Sequence, residues 1–241
     1  VASIRFDCRG HGDSEGAAPL GDETIDDDVR AAISALLSEV PTLDRIVLWG
    51  LCGGASVAAL YAPHDPRVAG VVMLNPWVRT SQGVAKARLT HYYLPRLLDR
   101  GFWRRALCGK LALGQSTLDF ARNVARALTP GGRPAAAGGD TPQTPAEGGP
   151  AAGAPALPQQ MLSALVRSRV GALVVLSGAD DLTANEFRQL RSDSPQWQAW
   201  LAQPHVEMAE VAGSNHTFAR SDWRTQVEEL SMRWVLALAT R

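Results

Sequence analysis

Apolar residues in this chain gather into short continuous runs, and between the runs they recur at helical spacing. Val1–Phe6, Arg45–Trp49, Val68–Leu74 and Ala172–Leu176 are the runs. Val1–Phe6 reads as a strand, Arg45–Trp49 and Ala172–Leu176 as buried strands, and Val68–Leu74 as a strand buried on both faces. Val206–Val211 interleaves apolar residues with Glu207 and Glu210 and reads as a strand nearer a sheet edge. Asp22–Val40 carries Ile25, Val29, Ala32, Ile33, Leu36 and Leu37 close to a helical period, with Asp26, Asp27 and Asp28 near its start, where the helix dipole favours acids. Ala55–Tyr61, Pro158–Arg169, Asn185–Arg191 and Ser194–Ala202 also read as helices. Asp222–Leu238 closes the chain as an amphipathic helix offering Val227, Leu230, Met232, Trp234, Val235 and Leu238 for burial. Strands alternating with helices predict an α/β fold, a mostly parallel sheet with helices on its faces. Ligands of such sheets bind beyond the carboxyl ends of the strands.

The pattern breaks in the middle. Residues 75–128 hold helical patches at Val84–Leu98 and Leu118–Leu128 among Trp77, His91, Tyr92, Tyr93, Phe102 and Trp103, and read as a helical insertion or cap. Residues 129–157 are dominated by Pro, Gly and Ala, carry too little apolar surface for a core, and read as a disordered linker. The α/β core is therefore expected from 1–74 and 158–241. The chain opens on Val1 inside an apolar run, and further strands are expected upstream of it.

Composition narrows the classes. Lys plus Arg and Asp plus Glu number 24 each, which leaves no basic footprint for nucleic acid or an anionic membrane. Cys8, Cys52 and Cys108 are far apart and lack zinc-like spacing, so neither a disulfide framework nor a metal centre is expected. Sparse, odd cysteines fit a reducing, cytoplasmic compartment. No run approaches the roughly 18 apolar residues of a membrane span, and no cofactor motif stands out.

Three strand ends carry reactive side chains. Gly50-Leu-Cys-Gly-Gly54 joins the Arg45–Trp49 strand to the Ala55–Tyr61 helix, with Cys52 at the tip. Gly-x-Cys-x-Gly at such a junction is the pattern of a nucleophile elbow with cysteine as nucleophile. The tip residue is forced into strained dihedrals, and side chains two positions to either side are expected to collide. The helix N-terminus beside the thiol favours its thiolate. A buried structural cysteine and a phosphate-binding junction remain alternatives for this window. Asp180 and Asp181 follow the Ala172–Leu176 strand, and His216 follows Val206–Val211. A thiol becomes a competent nucleophile when an imidazole takes its proton, and a carboxylate on the other ring nitrogen sets the tautomer. Cys52, one of the two aspartates and His216 thus form a candidate triad, with the Gly53 amide as oxyanion donor. His11 and His91 are competing bases. His64 and His205 lie at the opposite ends of the elements. A nucleotide-binding reading of Gly10–Gly16 lacks both a Walker lysine and a GxGxxG opening a helix.

These residues resemble the α/β-hydrolase superfamily. Asp7-Cys-Arg-Gly-His-Gly-Asp-Ser14 is similar to its DxRGxGxS turn, Gly50–Gly54 to its elbow, Gly178-Ala-Asp-Asp181 to its GxxD acid loop and Asn215-His216 to its histidine loop. The resemblance selects Asp181 over Asp180. It also implies a second oxyanion amide from a loop upstream of Val1, outside this sequence. A narrower resemblance, to the type 1 exosortase A system-associated hydrolases, rests on RFDCRGHGDSEG, GLCGGAS, LNPWVRT, HYYLPRLL, LSGADDLTANEF and NHTF. It implies a bacterial protein associated with exopolysaccharide and protein-sorting systems.

The expected activity is hydrolysis of a small acyl ester or thioester, with an acylated saccharide among the candidate substrates. Trp77, His91, Tyr92 and Trp103 of the insertion are the expected substrate-facing residues. An acyltransferase using the same acyl-enzyme, and a non-catalytic binding partner of the same fold, are the alternatives.

Overall fold

The computed structural model describes residues 1–17, 22–78, 155–179 and 181–240. Most of the expected cap and linker, with the helices at Val84–Leu98 and Leu118–Leu128, lies outside the described residues. Four strands form one sheet: β1 (Ile46–Leu51), β2 (Val68–Leu74), β3 (Gly171–Ser177) and β4 (Val206–Val211). Their order is β1-β2-β3-β4 and every pairing is parallel. The helices are α1 (Asp22–Glu39), α2 (Gly53–Tyr61), α3 (Leu157–Ser168), α4 (Leu182–Asp193), α5 (Pro195–Leu201) and α6 (Ser221–Ala239). A short 3-10 turn, Ala62–His64, follows α2.

The two faces of the sheet sort by the period of two along each strand. Val71 and Met73 of β2, with Val174 and Leu176 of β3, share one core with residues of α1 to α5, among them Ile33, Ala59, Met161, Phe187 and Trp197. The alternate positions Val72, Leu74, Leu173 and Val175 face α6 through Val227 and Trp234. Strands laid down in sequence with right-handed crossovers put their connecting helices on one face, which leaves the other to the final helix.

That final helix needs room. Gly70 of β2 pairs with Gly171 of β3, and together they leave a pit for the Trp234 indole. A Cβ on Gly70 would come within 2.7 Å of both Trp234 Cη2 and Leu238 Cδ2. Gly70→Ala is therefore expected to overpack this face and cost about 1–3 kcal/mol. Urea unfolding checks it, read as a lower midpoint with an unchanged slope.

Two sequence expectations are corrected. Val1–Phe6 forms no strand: no described residue offers it a ladder, and Val1 is 80 %, Ile4 45 % and Phe6 41 % exposed. Strand identity needs a hydrogen-bonding neighbour as well as apolar residues. Met232 is exposed rather than buried, because α6 turns Val227, Ser231 and Trp234 inward and carries the position after Ser231 away from the sheet. At the free side of β1, Trp49 is largely exposed and its indole N–H donates to Ser231 Oγ at 3.2 Å.

Candidate active site

The elbow is built as a strained turn. Cys52 has φ 56° and ψ −119°, a region costly for any residue with a side chain. Backbone bonds hold it there from both sides. Its N–H donates to Leu74 C=O at 2.9 Å, and its C=O accepts from Ala55 N–H at 3.1 Å and Trp77 N–H at 3.3 Å. The glycine requirement proves one-sided. A Cβ on Gly50 would lie 2.3 Å from the Gly54 carbonyl carbon, whereas one on Gly53 or Gly54 would meet nothing within 4 Å. Gly50 is thus fixed by the close return of the backbone, and Gly53 and Gly54 are not. Gly53 is the first residue of α2, where an amide has no acceptor within the helix.

Asp181 and His216 meet where β3 and β4 end. The two exits touch: a Cβ on Gly178 would lie 2.7 Å from Ala212 Cα, and Gly178 N–H and Ala179 N–H donate to Val211 and Ser214 carbonyls. His216 Nδ1 lies 3.1 Å from Asp181 Oδ2. The same oxygen accepts from Ser177 Oγ at 3.0 Å and from Ala184 N–H at 3.1 Å. The last bond makes Asp181 the N-cap of α4. Burial pushes the Asp181 carboxyl upward, but the bonds from His216, Ala184 and Ser177 outweigh it and hold its pKa below the ordinary value. The histidine loop is anchored by Phe218, which is buried against the α6 side of the sheet with φ 50°.

Sequence reasoning missed two side chains behind this pair. Asn75, just past β2, is fully buried with φ 42°. Its Oδ1 accepts from Ser177 N–H at 2.8 Å and its Nδ2 donates to His216 C=O at 2.9 Å. Ser177, also fully buried, ends β3, and its carbonyl accepts from Arg188 Nη2 at 2.6 Å. The available signal was a polar residue closing an otherwise apolar run in each case.

The other candidates fall elsewhere. Asp181 is described and Asp180 is not. His11 is exposed, with Nδ1 3.2 Å from Arg9 C=O, inside a turn pinned by Arg9 to Asp28 and by Ser14 Oγ–H to Asp7 C=O. His64 precedes β2 and pairs with Asp26, and His205 precedes β4. Trp77 is half-buried beside the elbow, and its carbonyl accepts from Ser56 Oγ at 2.6 Å. His91, Tyr92 and Trp103 lie outside the described residues. A cavity of about 440 Å³ lined by Ile4, Phe6, Arg9 and Ala31 lies under the N-terminal turn, away from Cys52 and His216.

A parallel sheet with a strained cysteine after one strand, and an aspartate–histidine pair after two later ones, is the arrangement of an α/β hydrolase. The chain belongs to the alpha/beta hydrolase family, which it matches over residues 1–230. Its fold is similar to that of a carboxylesterase from the ammonia-oxidizing thaumarchaeon Nitrososphaera gargenis, at 15 % identity and TM-score 0.50, over 97 % of this chain and 79 % of that one. It is also similar to an esterase of Pyrococcus furiosus, at 18 % identity and TM-score 0.50, over 95 % of this chain and 68 % of that one. At these identities the likeness is one of fold. No curated protein sequence matches the chain. Among the described residues, no helix is long and apolar enough to cross a membrane.

Proposed function

We propose that this α/β hydrolase cleaves a carboxylic ester or thioester by acyl transfer to Cys52. The observation that carries the reading is the His216–Asp181 contact at 3.1 Å, on the same sheet end as the strained Cys52. With Nδ1–H given to Asp181, the Nε2 lone pair is the base. His216 takes the thiol proton and Cys52 attacks the acyl carbonyl. The Gly53 amide stabilises the oxyanion. The leaving alcohol or thiol departs with the proton from His216. Water, deprotonated by the same imidazole, then releases the acid and regenerates the thiol.

The likeness in fold to esterases supports an ester substrate. A thiol nucleophile favours ester and thioester over amide, because a thiolate leaves more readily than most amines. The insertion at 75–128, with Trp77, His91, Tyr92 and Trp103, is assigned the choice of acyl group. The motifs shared with exosortase A system-associated hydrolases support a cytoplasmic role beside bacterial exopolysaccharide systems, with an acylated saccharide as one substrate. Transfer of the acyl group to a sugar hydroxyl uses the same intermediate.

The test separates catalysis from a binding role. Iodoacetamide should alkylate Cys52 rapidly at pH values well below the ordinary thiol range near about 8.5, and His216→Ala should slow that alkylation. Short-chain p-nitrophenyl esters and acyl thioesters should turn over in the same preparation. Ordinary thiol reactivity in both proteins, with no turnover, would favour a non-catalytic hydrolase-like binding protein.

A further inference from the structure

The buried carboxamide of Asn75, at the end of a third strand, bonds the backbone of His216 directly and reaches Asp181 through Ser177. It is bonded across 141 positions of the chain to His216 and across 102 to Ser177. Its orientation is fixed by chemistry: Ser177 N–H can only donate and His216 C=O can only accept, so Oδ1 must face the first and Nδ2 the second. Ser177 Oγ lies 3.0 Å from Asp181 Oδ2 and 3.2 Å from Asn75 Oδ1. It has one proton, and the carboxylate is the stronger acceptor. Asn75 therefore holds the base through the His216 backbone and holds the acid through Ser177.

The backbone supports the same reading. Asn75 sits at φ 42°, a left-handed conformation that asparagine tolerates better than most residues. Its own N–H donates to Val175 C=O at 2.9 Å, which continues the β2–β3 ladder one step past the strand. An imidazole must hold its partner within a fraction of an ångström to act as a base, and a displacement near 1 Å costs on the order of a hundredfold in rate.

We propose that Asn75 is a positioning residue that sets the imidazole of His216 against the carboxylate of Asp181. The proposal rests on His216 and Asp181 being the base and acid of the reaction above. Asn75→Gly is the clean variant, since glycine adopts the left-handed backbone without strain and only the carboxamide is lost. Asn75→Asp keeps the size and the acceptor for Ser177 but replaces the donor to His216.

The experiment measures kcat and KM on a short-chain p-nitrophenyl ester, and the low-field proton NMR signal of the His216–Asp181 hydrogen bond, in the full chain. For folded Asn75→Gly and Asn75→Asp we expect kcat to fall about 10- to 100-fold, KM to change less than twofold, and the low-field signal to broaden or shift. Wild-type kcat and an unshifted signal in either folded variant overturn the proposal. So does failure of both variants to fold, which makes the carboxamide a contact of the core. If Cys52→Ala retains turnover, the acyl-enzyme reading fails by itself, and the NMR signal still decides whether Asn75 holds the pair.

Discussion

Replacing Cys52 with alanine is expected to abolish measurable turnover of small acyl esters. The fall should be on the order of 10³-fold or more, given that removing the nucleophile of a working triad has cost up to roughly 10⁶-fold. The fold should survive the change. The strained backbone of Cys52 is held by main-chain bonds to Leu74, Ala55 and Trp77, which alanine keeps. Intact-protein mass spectrometry adds a second reading. The wild type, mixed rapidly with an activated ester, should gain one acyl group, and Cys52→Ala should gain none. Turnover within a few-fold of wild type in a folded Cys52→Ala protein would move the chemistry to another group and sink the acyl-enzyme mechanism.

Asp181→Asn is expected to be nearly as severe for a different reason. An amide at this position can turn its NH₂ toward His216 Nδ1, which then accepts, and the proton moves to Nε2, where the base must be free. The equivalent change in a serine-nucleophile triad costs roughly 10⁴-fold in kcat. Stability should also fall, by about 1 kcal/mol, because His216 Nδ1 and Ala184 N–H meet the same oxygen, Oδ2, and an NH₂ turned to the first cannot accept from the second. The two proteins should differ in their response to acid. The Asp181 pKa is lowered in the fold, with burial opposing and His216, Ala184 and Ser177 prevailing. Its contribution is therefore in place above the ordinary carboxylate value of about 3.9 and is lost as pH falls through the lower folded value. Unfolding midpoints of wild type and Asp181→Asn should converge over that acidic window. A pH-independent gap, or wild-type kcat in the variant, would show that Asp181 does not serve His216.

Much of the sheet was legible because β2 and β3 are almost wholly apolar and the strands end on turn-forming residues. Val68–Leu74 and Val206–Val211 coincide with β2 and β4, and β4 lies at an edge as its glutamates imply. The Asp181–His216 contact was also readable in outline, since residues topping neighbouring parallel strands can meet. Three things were hidden. Val1–Phe6 has the composition of a strand, but whether it pairs depends on a neighbour that composition does not reveal. The inward face of α6 was read one residue too broadly at Met232, because burial depends on the rotation of the helix over the Gly70–Gly171 pit. Asn75 and Ser177 gave only weak local signals, since their meaning lies in bonds between distant segments.

Those long-range bonds bear on how this chain can change. Asn75 and Ser177 are neighbours across 102 positions, and since α3 and β3 between them belong to the core, the scaffold closes a loop made of the chain before α3. Loop-closure entropy grows only with the logarithm of length, and doubling such a loop costs about 0.6 kcal/mol. The ladder from β2 to β3 and the Asn75 bonds hold its two ends wherever the intervening chain goes. Cys52, Asp181 and His216 are thereby expected to keep their places when the chain beyond Val78 and before α3 changes in length or composition. Insertions, deletions and exchanges made there spare Asn75 and Trp77, which bond Ser177, His216 and Cys52, and are expected to leave those three residues in position.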